Sequence, residues 1–225
     1  DRVRIIYKAI GGAFGGKEDM SIQIALGLAA MRLAERGEHR PIHCRWSREE
    51  SIVGHHKRHR GRIRIRLGAT HDGTITALEA DVDLDAGAYN YTSNKVLGNA
   101  HLSVAGAYRI PHARIDSRAI YTTTVPGGAF RGFGGPQGHF AIESAVNRLA
   151  AELGIDPVEM RLRNALVDGD DGITQTVMPE GVSMREVITA CSLQAELDEA
   201  LPDPAPFSPI ASLPSAATSL RKGRG

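Results

Sequence analysis

GRIRIRLGATHDGTITALEADVDLDAGAY, residues 61–89, decides the fold. Ile63, Ile65 and Leu67 alternate with Arg62, Arg64 and Arg66, so an extended chain here has one apolar and one cationic face. Side chains of a strand point alternately to its two faces, and a period of two is therefore a strand signature. His71, Asp72 and Gly73 supply a turn, and Ile75 to Leu84 runs back, giving a long hairpin with one wet face. DVDLDAG, residues 81–87, imitates a calcium loop, but Thr92 stands where a bidentate glutamate is required, so it reads as strand.

Outward from the hairpin the period changes to that of helices. Residues 20–36 carry Ile24, Leu28, Met31 and Leu33 near one face with Gly37 as a stop, and IALGLAAM reads as a buried helix face. Pro41 leads into IHCRW, expected as a short strand, and Ser47 with Glu50 forms a capping box for one helical turn. Helices are expected over 94–105, over 139–153 with the stripe Ile142, Ala145, Val146 and Leu149, from Asp156-Pro157 onward, and around 183–190. Residues 120–124 read as a strand. The class is α+β: a mixed sheet containing the long hairpin, with helices packed on it.

Bulk composition bounds the function. The 225 residues suffice for a real core, and 42% hydrophobic with 24% charged residues is ordinary for a globular chain. Lys plus Arg number 27 against 26 Asp plus Glu, so no global field draws nucleic acid or an anionic membrane. Cys44 and Cys191 cannot build a disulfide framework and lack zinc spacing, which points to a reducing, cytoplasmic setting. No apolar run approaches the roughly 18 residues of a membrane span. Residues 1–200 are expected to form one domain. From Pro202 onward, five prolines in 24 residues and the basic end RKGRG lead us to expect a disordered tail.

Two glycine loops carry the functional signal. GGAFGGKE, residues 11–18, matches the spacing of a nucleotide P-loop up to Lys17, but Glu18 replaces the magnesium-binding hydroxyl. PGGAFRGFGGPQG, residues 126–138, is the second. Bare backbone of this kind lets N–H groups approach a ligand, and each loop is expected to launch a helix whose positive end favours an anion. Together they would suit a flat, phosphate-bearing ligand with a carboxylate beside it. GHHKRHRG, residues 54–61, tempts a metal or nucleic-acid reading. Its cations would repel a metal, so it is expected to be a solvated basic turn.

GGAFGGKE together with AFRGFGGPQ resembles the molybdenum-binding subunit of the xanthine dehydrogenase and aldehyde oxidase family. AGAY at 86–89, YRIP at 108–111 and LGIDPVEMRLRN at 153–164 add to the likeness, which covers about residues 3–188. The resemblance implies that the two loops form part of a molybdopterin cleft. It implies hydroxylation of an electron-poor carbon, in an N-heterocycle such as a purine or in an aldehyde, with oxygen from water. The cofactor implied is molybdenum on molybdopterin, in its cytosine dinucleotide form, with 2Fe-2S clusters and FAD on partner subunits or domains. Gly12, Ala13, Phe14, Gly15 and Arg131 would face the cofactor, with the backbone of Phe14 and Arg131 near the metal. Glu18 would project into the substrate pocket and Phe133 would be an aromatic wall.

Plainer readings stand beside these. Glu18 and Lys17 can be a surface ion pair, and Phe133 can be core. Where purine-oxidising animal members of the family carry a substrate-facing arginine, this chain has Asn99, a neutral amide, so the substrate need not be xanthine. The family's general base, a glutamate in a far C-terminal segment, has no equivalent motif here. The chain is therefore expected to be a middle fragment, inactive until the remaining segments of the subunit complete it. A degenerate remnant serving assembly and a phosphate-binding protein unrelated to molybdenum remain as alternatives.

Overall fold

A computed structural model describes residues 3–7, 11–18 and 22–194. The expected tail, residues 201–225, lies outside the described residues. The hairpin forms as expected. β1 (Gly61–Ala69) pairs antiparallel with β2 (Ile75–Gly87), placing Arg64 opposite Asp81 and Arg66 opposite Glu79. The turn closes through Gly73 N–H to the Thr70 carbonyl (2.9 Å), with Gly73 at φ +87°. The wet face is a ladder of charges: Arg66 pairs with Glu79 at 3.1 Å and Arg64 with Asp83 at 3.7 Å. Exposed pairs add little stability one by one, but their register agrees with the apolar face, where a one-residue slip would bury the acids.

The third strand lies elsewhere than expected. β3 (His112–Tyr121) runs parallel to β2, so the sheet is mixed, in the order β1-β2-β3. Only Tyr121 and Ile120 fall in the segment read as strand from sequence. HARIDSRAIY is an edge strand that is at best half-buried, and so carries little apolar alternation to read. IHCRW forms no strand either.

Helices α1 (Gln23–Glu35), α2 (Arg48–Gly54), α3 (Ser93–Ser103), α4 (Gly135–Leu153), α5 (Pro157–Asn164) and α6 (Met184–Gln194) follow the periodicity closely. Ser47 caps α2 reciprocally with Glu50, as the sequence pattern requires. The core lies between the apolar face of β2 and helices α3 and α4: Leu78, Val82 and Leu84 meet Val96, Val104, Ile142 and Val146, all buried. Gly134 and Gly138 allow this closeness. A Cβ on Gly134 would lie 2.2 Å from the Val96 carbonyl oxygen, and one on Gly138 would lie 2.6 Å from Ser103 Cβ. α5 is locked to the hairpin by buried Asn164, whose side chain accepts from Ile75 N–H (2.8 Å) and donates to the Gly73 carbonyl (2.8 Å).

One helix face departs from its expectation. Ile24 is 70% and Leu28 57% exposed on α1, so IALGLAAM is not buried. Residues 3–7 lie alongside it, where Ile5 and Val3 reach about 4 Å from the Gly27 Cβ position. The helix has an apolar face because its sequence has one; the core between β2, α3 and α4 does not extend to it.

Candidate functional site

Loops 11–18 and 126–138 meet, although more than a hundred residues separate them in sequence. Arg131 N–H donates to the Phe14 carbonyl at 3.0 Å, and the Arg131 guanidinium lies 5.9 Å from the Phe14 ring centroid. Gly15 sits so close to the second loop that a Cβ would be 2.6 Å from the Ala129 carbonyl oxygen. The second loop leads directly into α4, capped by Gly134 at φ +97° with Pro136 in the first turn. The first is followed by α1 from Gln23, with residues 19–21 outside the described ones.

Both loops use the same turn. Phe14 and Gly15 have φ of +50° and +92°, and Phe133 and Gly134 have +48° and +97°. In each, the second glycine of F-G-G closes the turn: Gly16 N–H to the Ala13 carbonyl (2.8 Å) and Gly135 N–H to the Gly132 carbonyl (2.9 Å). Two positive φ values in sequence are the mark of a type I′ turn. A phenylalanine in that conformation is strained, by roughly 1–3 kcal/mol, and strain of this kind gathers at functional sites. Phe14 bears it while 63% exposed, with no burial to offset it.

The residues singled out from sequence are placed as follows. Glu18 is exposed, and its N–H donates to the Gly15 carbonyl at 3.4 Å. Lys17 folds back so that Nζ donates to the Gly11 carbonyl at 3.4 Å. Gly11 and Gly12 are exposed, and a Cβ on Gly11 would meet nothing within 4 Å. Phe133 is half-buried against the core cluster. Asn99 turns its amide to the second loop, donating from Nδ2 to the Phe133 carbonyl (2.9 Å) and the Gly132 carbonyl (3.3 Å). Asn99 thus braces the turn that carries Phe133.

Sequence reasoning missed the scaffold beneath these loops. GHHKRHRG is not a solvated turn: His56 is 7% and His59 3% exposed. His56 Nε2 bonds the Ala129 carbonyl (2.8 Å) and His59 Nε2 bonds Ser93 Oγ (2.8 Å). Cβ atoms on Gly127 and Gly128 would lie 2.4 Å from the rings of His59 and His56, so these two glycines exist to let the rings in. On the other side, His55 Cε1 lies 3.6 Å from the Gly16 Cβ position, so this segment runs between the loops. Burial pushes the His59 pKa down, opposed by the charge of Asp85. The available signal was that imidazole, unlike lysine, can be buried neutral.

A ligand for this arrangement can be tested on its donors. Gly16 and Glu18 spend their N–H groups inside the loop, whereas those of Ala13, Phe14 and Gly15 meet no backbone acceptor among the described residues. Donors without a backbone acceptor, beside an open glycine and an exposed aromatic ring, fit an anionic group attached to a planar one. No group of three or more His, Cys, Asp or Glu among the described residues could hold a metal ion by itself.

The model of the molybdopterin cofactor-binding domain matches residues 1–165. The chain belongs to that family. It is 38% identical over 164 residues to a probable xanthine dehydrogenase subunit of Bacillus subtilis (strain 168), covering 73% of this chain and 21% of that protein. It is 36% identical over 187 residues to the nicotinate dehydrogenase large molybdopterin subunit of Eubacterium barkeri, covering 83% and 43%. The solved aldehyde oxidoreductase of Desulfovibrio gigas superposes with a TM-score of 0.78 at 33% identity, covering 85% of this chain and 21% of that one. The chain thus spans between about a fifth and less than half of these relatives, and its mixed α+β fold is similar to that of the solved aldehyde oxidoreductase.

Proposed function

We propose that this chain supplies the cofactor-facing part of a molybdenum hydroxylase acting on an N-heterocycle or an aldehyde. The observation that carries the reading is the Arg131 N–H to Phe14 carbonyl contact, which joins two glycine loops at one site within a molybdopterin-binding domain. Gly12, Ala13, Phe14 and Gly15 would hold the cofactor through backbone N–H groups, with Arg131 on the facing loop. When bound, molybdenum on its pterin, in the cytosine dinucleotide form, supplies the two-electron oxidation that hydroxylates carbon with oxygen from water. 2Fe-2S and FAD partners would take up the electrons.

The chain's own residues position the substrate. The exposed Glu18 carboxylate can accept a hydrogen bond from a heterocyclic N–H and so orient the ring. Phe133 would offer its uncovered edge to a planar substrate. Asn99 spends its amide protons on loop carbonyls, so it cannot replace an arginine opposite a purine carbonyl. This favours substrates without that carbonyl. The apolar face of α1, with Ile6 and Tyr7 also exposed, is read as the surface that the remaining segments of the subunit cover. Two exposed, unpaired cysteines agree with a cytoplasmic location, and no described helix is long and apolar enough to cross a membrane.

The deciding experiment is to purify the protein from a host that makes the cofactor and measure molybdenum and pterin per chain. Comparable amounts of both are expected. A protein that binds inorganic phosphate but neither molybdenum nor pterin would overturn the reading in favour of a phosphate-binding module.

A further inference from the structure

Arg58 lies in a segment whose flanking cations mark it as solvent-facing, yet its guanidinium is spent on the second glycine loop. Nη2 donates to the Arg131 carbonyl at 2.6 Å, and Nη1 to Gln137 Oε1 at 3.4 Å. Its Cζ lies 4.6 Å from the centroid of the Phe130 ring. A planar fork that bonds along its edge and stacks on its face can make all three contacts at once, and an ammonium cannot. Residue 131 is consequently tied at both ends. Its N–H goes to Phe14 of the first loop and its carbonyl to Arg58.

The base from which Arg58 reaches out is itself fixed. Lys57 N–H donates to the Pro126 carbonyl (3.2 Å) and Gly128 N–H donates to the Lys57 carbonyl (2.9 Å), joining the segment to the loop backbone. The buried rings of His56 and His59 flank Arg58 and fill the space that Gly127 and Gly128 leave open. The loop is therefore gripped from beneath by two imidazoles and at its turn by one guanidinium. An unbraced loop of this glycine content would sample many conformations, and ordering it would weaken any ligand that needed one of them.

We propose that Arg58 is the positioning residue of the second glycine loop, fixing the Arg131 peptide and the Phe130 ring in the geometry that the cofactor meets. The consequence for the cofactor rests on the function proposed above; the grip on the loop does not. The test compares wild type with Arg58→Met, which keeps the stem and removes the fork, and Arg58→Lys, which keeps the charge. Hydrogen exchange is read on the cofactor-free protein and cofactor release on the loaded one. Losing a charge-assisted hydrogen bond is worth roughly tenfold or more. Both variants are expected to exchange amides at 130–133 about tenfold faster, with β2 and α4 unchanged, and to release molybdopterin faster by a similar factor. A merely structural arginine would lower the melting temperature and leave both readouts alone.

Unchanged exchange at 130–133 would overturn the proposal, and so would full rescue by lysine, since charge alone would then suffice. Should Arg58→Met lose protection in β2 as well, Arg58→Lys carries the test. A wild-type protein that takes up no molybdopterin would sink the cofactor reading, and the exchange data would still decide the role of Arg58.

Discussion

Adding one methyl group at Gly15 should separate the two loops. Gly15 has φ +92°, where a side chain costs about 1–2 kcal/mol. Its Cβ would also lie 2.6 Å from the Ala129 carbonyl oxygen, whereas ordinary contact begins near 3.4 Å, so the loops must part by about 0.8 Å. The neighbouring Arg131 N–H to Phe14 carbonyl bond, now 3.0 Å, would stretch beyond hydrogen-bonding reach. Its loss adds about 0.5–1.5 kcal/mol. The total, about 1.5–3.5 kcal/mol, corresponds to roughly 10- to 300-fold in the equilibrium for loop docking. Gly15→Ala should raise exchange of the Arg131 amide by that factor, and in the loaded protein weaken cofactor retention in parallel. Gly11→Ala is the control, since nothing lies within 4 Å of the added atom. Gly15 is outside the buried core cluster, so global unfolding should shift little. If Gly15→Ala leaves Arg131 exchange at the wild-type rate, the loops do not hold one another and the argument for a joint site fails.

Other consequences follow from single residues. Asn164→Leu keeps the volume but strips partners from Ile75 N–H and the Gly73 carbonyl, and should destabilise by about 2–5 kcal/mol in urea unfolding; a loss below about 1 kcal/mol would mean that water replaces the amide. Burial lowers the His59 pKa in the folded protein, so the unfolded chain takes up the proton first as pH falls. The stability linked to His59 should therefore be intact above about pH 6.5 and decline below it, by at most about 1.4 kcal/mol per pH unit. His59→Gln should flatten that slope, and a slope unaffected by the change would place the titration elsewhere. Glu18→Gln in the complete, cofactor-loaded enzyme should lower turnover about 10²-fold with molybdenum content unchanged; loss of metal instead would make Glu18 part of the cofactor scaffold.

Local pattern was enough for much of this molecule. The alternation of Ile63, Ile65 and Leu67 with arginines determined the hairpin, the apolar stripe Ile142, Ala145, Val146 and Leu149 gave α4, whose first turn reaches back to Gly135 inside the glycine loop, and Asp156-Pro157 started α5, because period and turn chemistry are properties of neighbouring residues. The glycine loops were legible for the same reason. Only the tertiary structure decided which partners these elements take. β3 has little apolar signal of its own and exists as a strand because β2 offers it a parallel edge. α1 has an apolar face that the core between β2, α3 and α4 does not cover, so its periodicity promised a burial that the packing withholds. GHHKRHRG looked solvated because charge is read locally, while burial is conferred by what folds over it. Gly127 and Gly128, some seventy residues away, make room for His56 and His59, and the Arg131 carbonyl gives Arg58 its partner. The loops could be read one at a time from sequence; their contact, and the segment that holds it, depend on long-range packing.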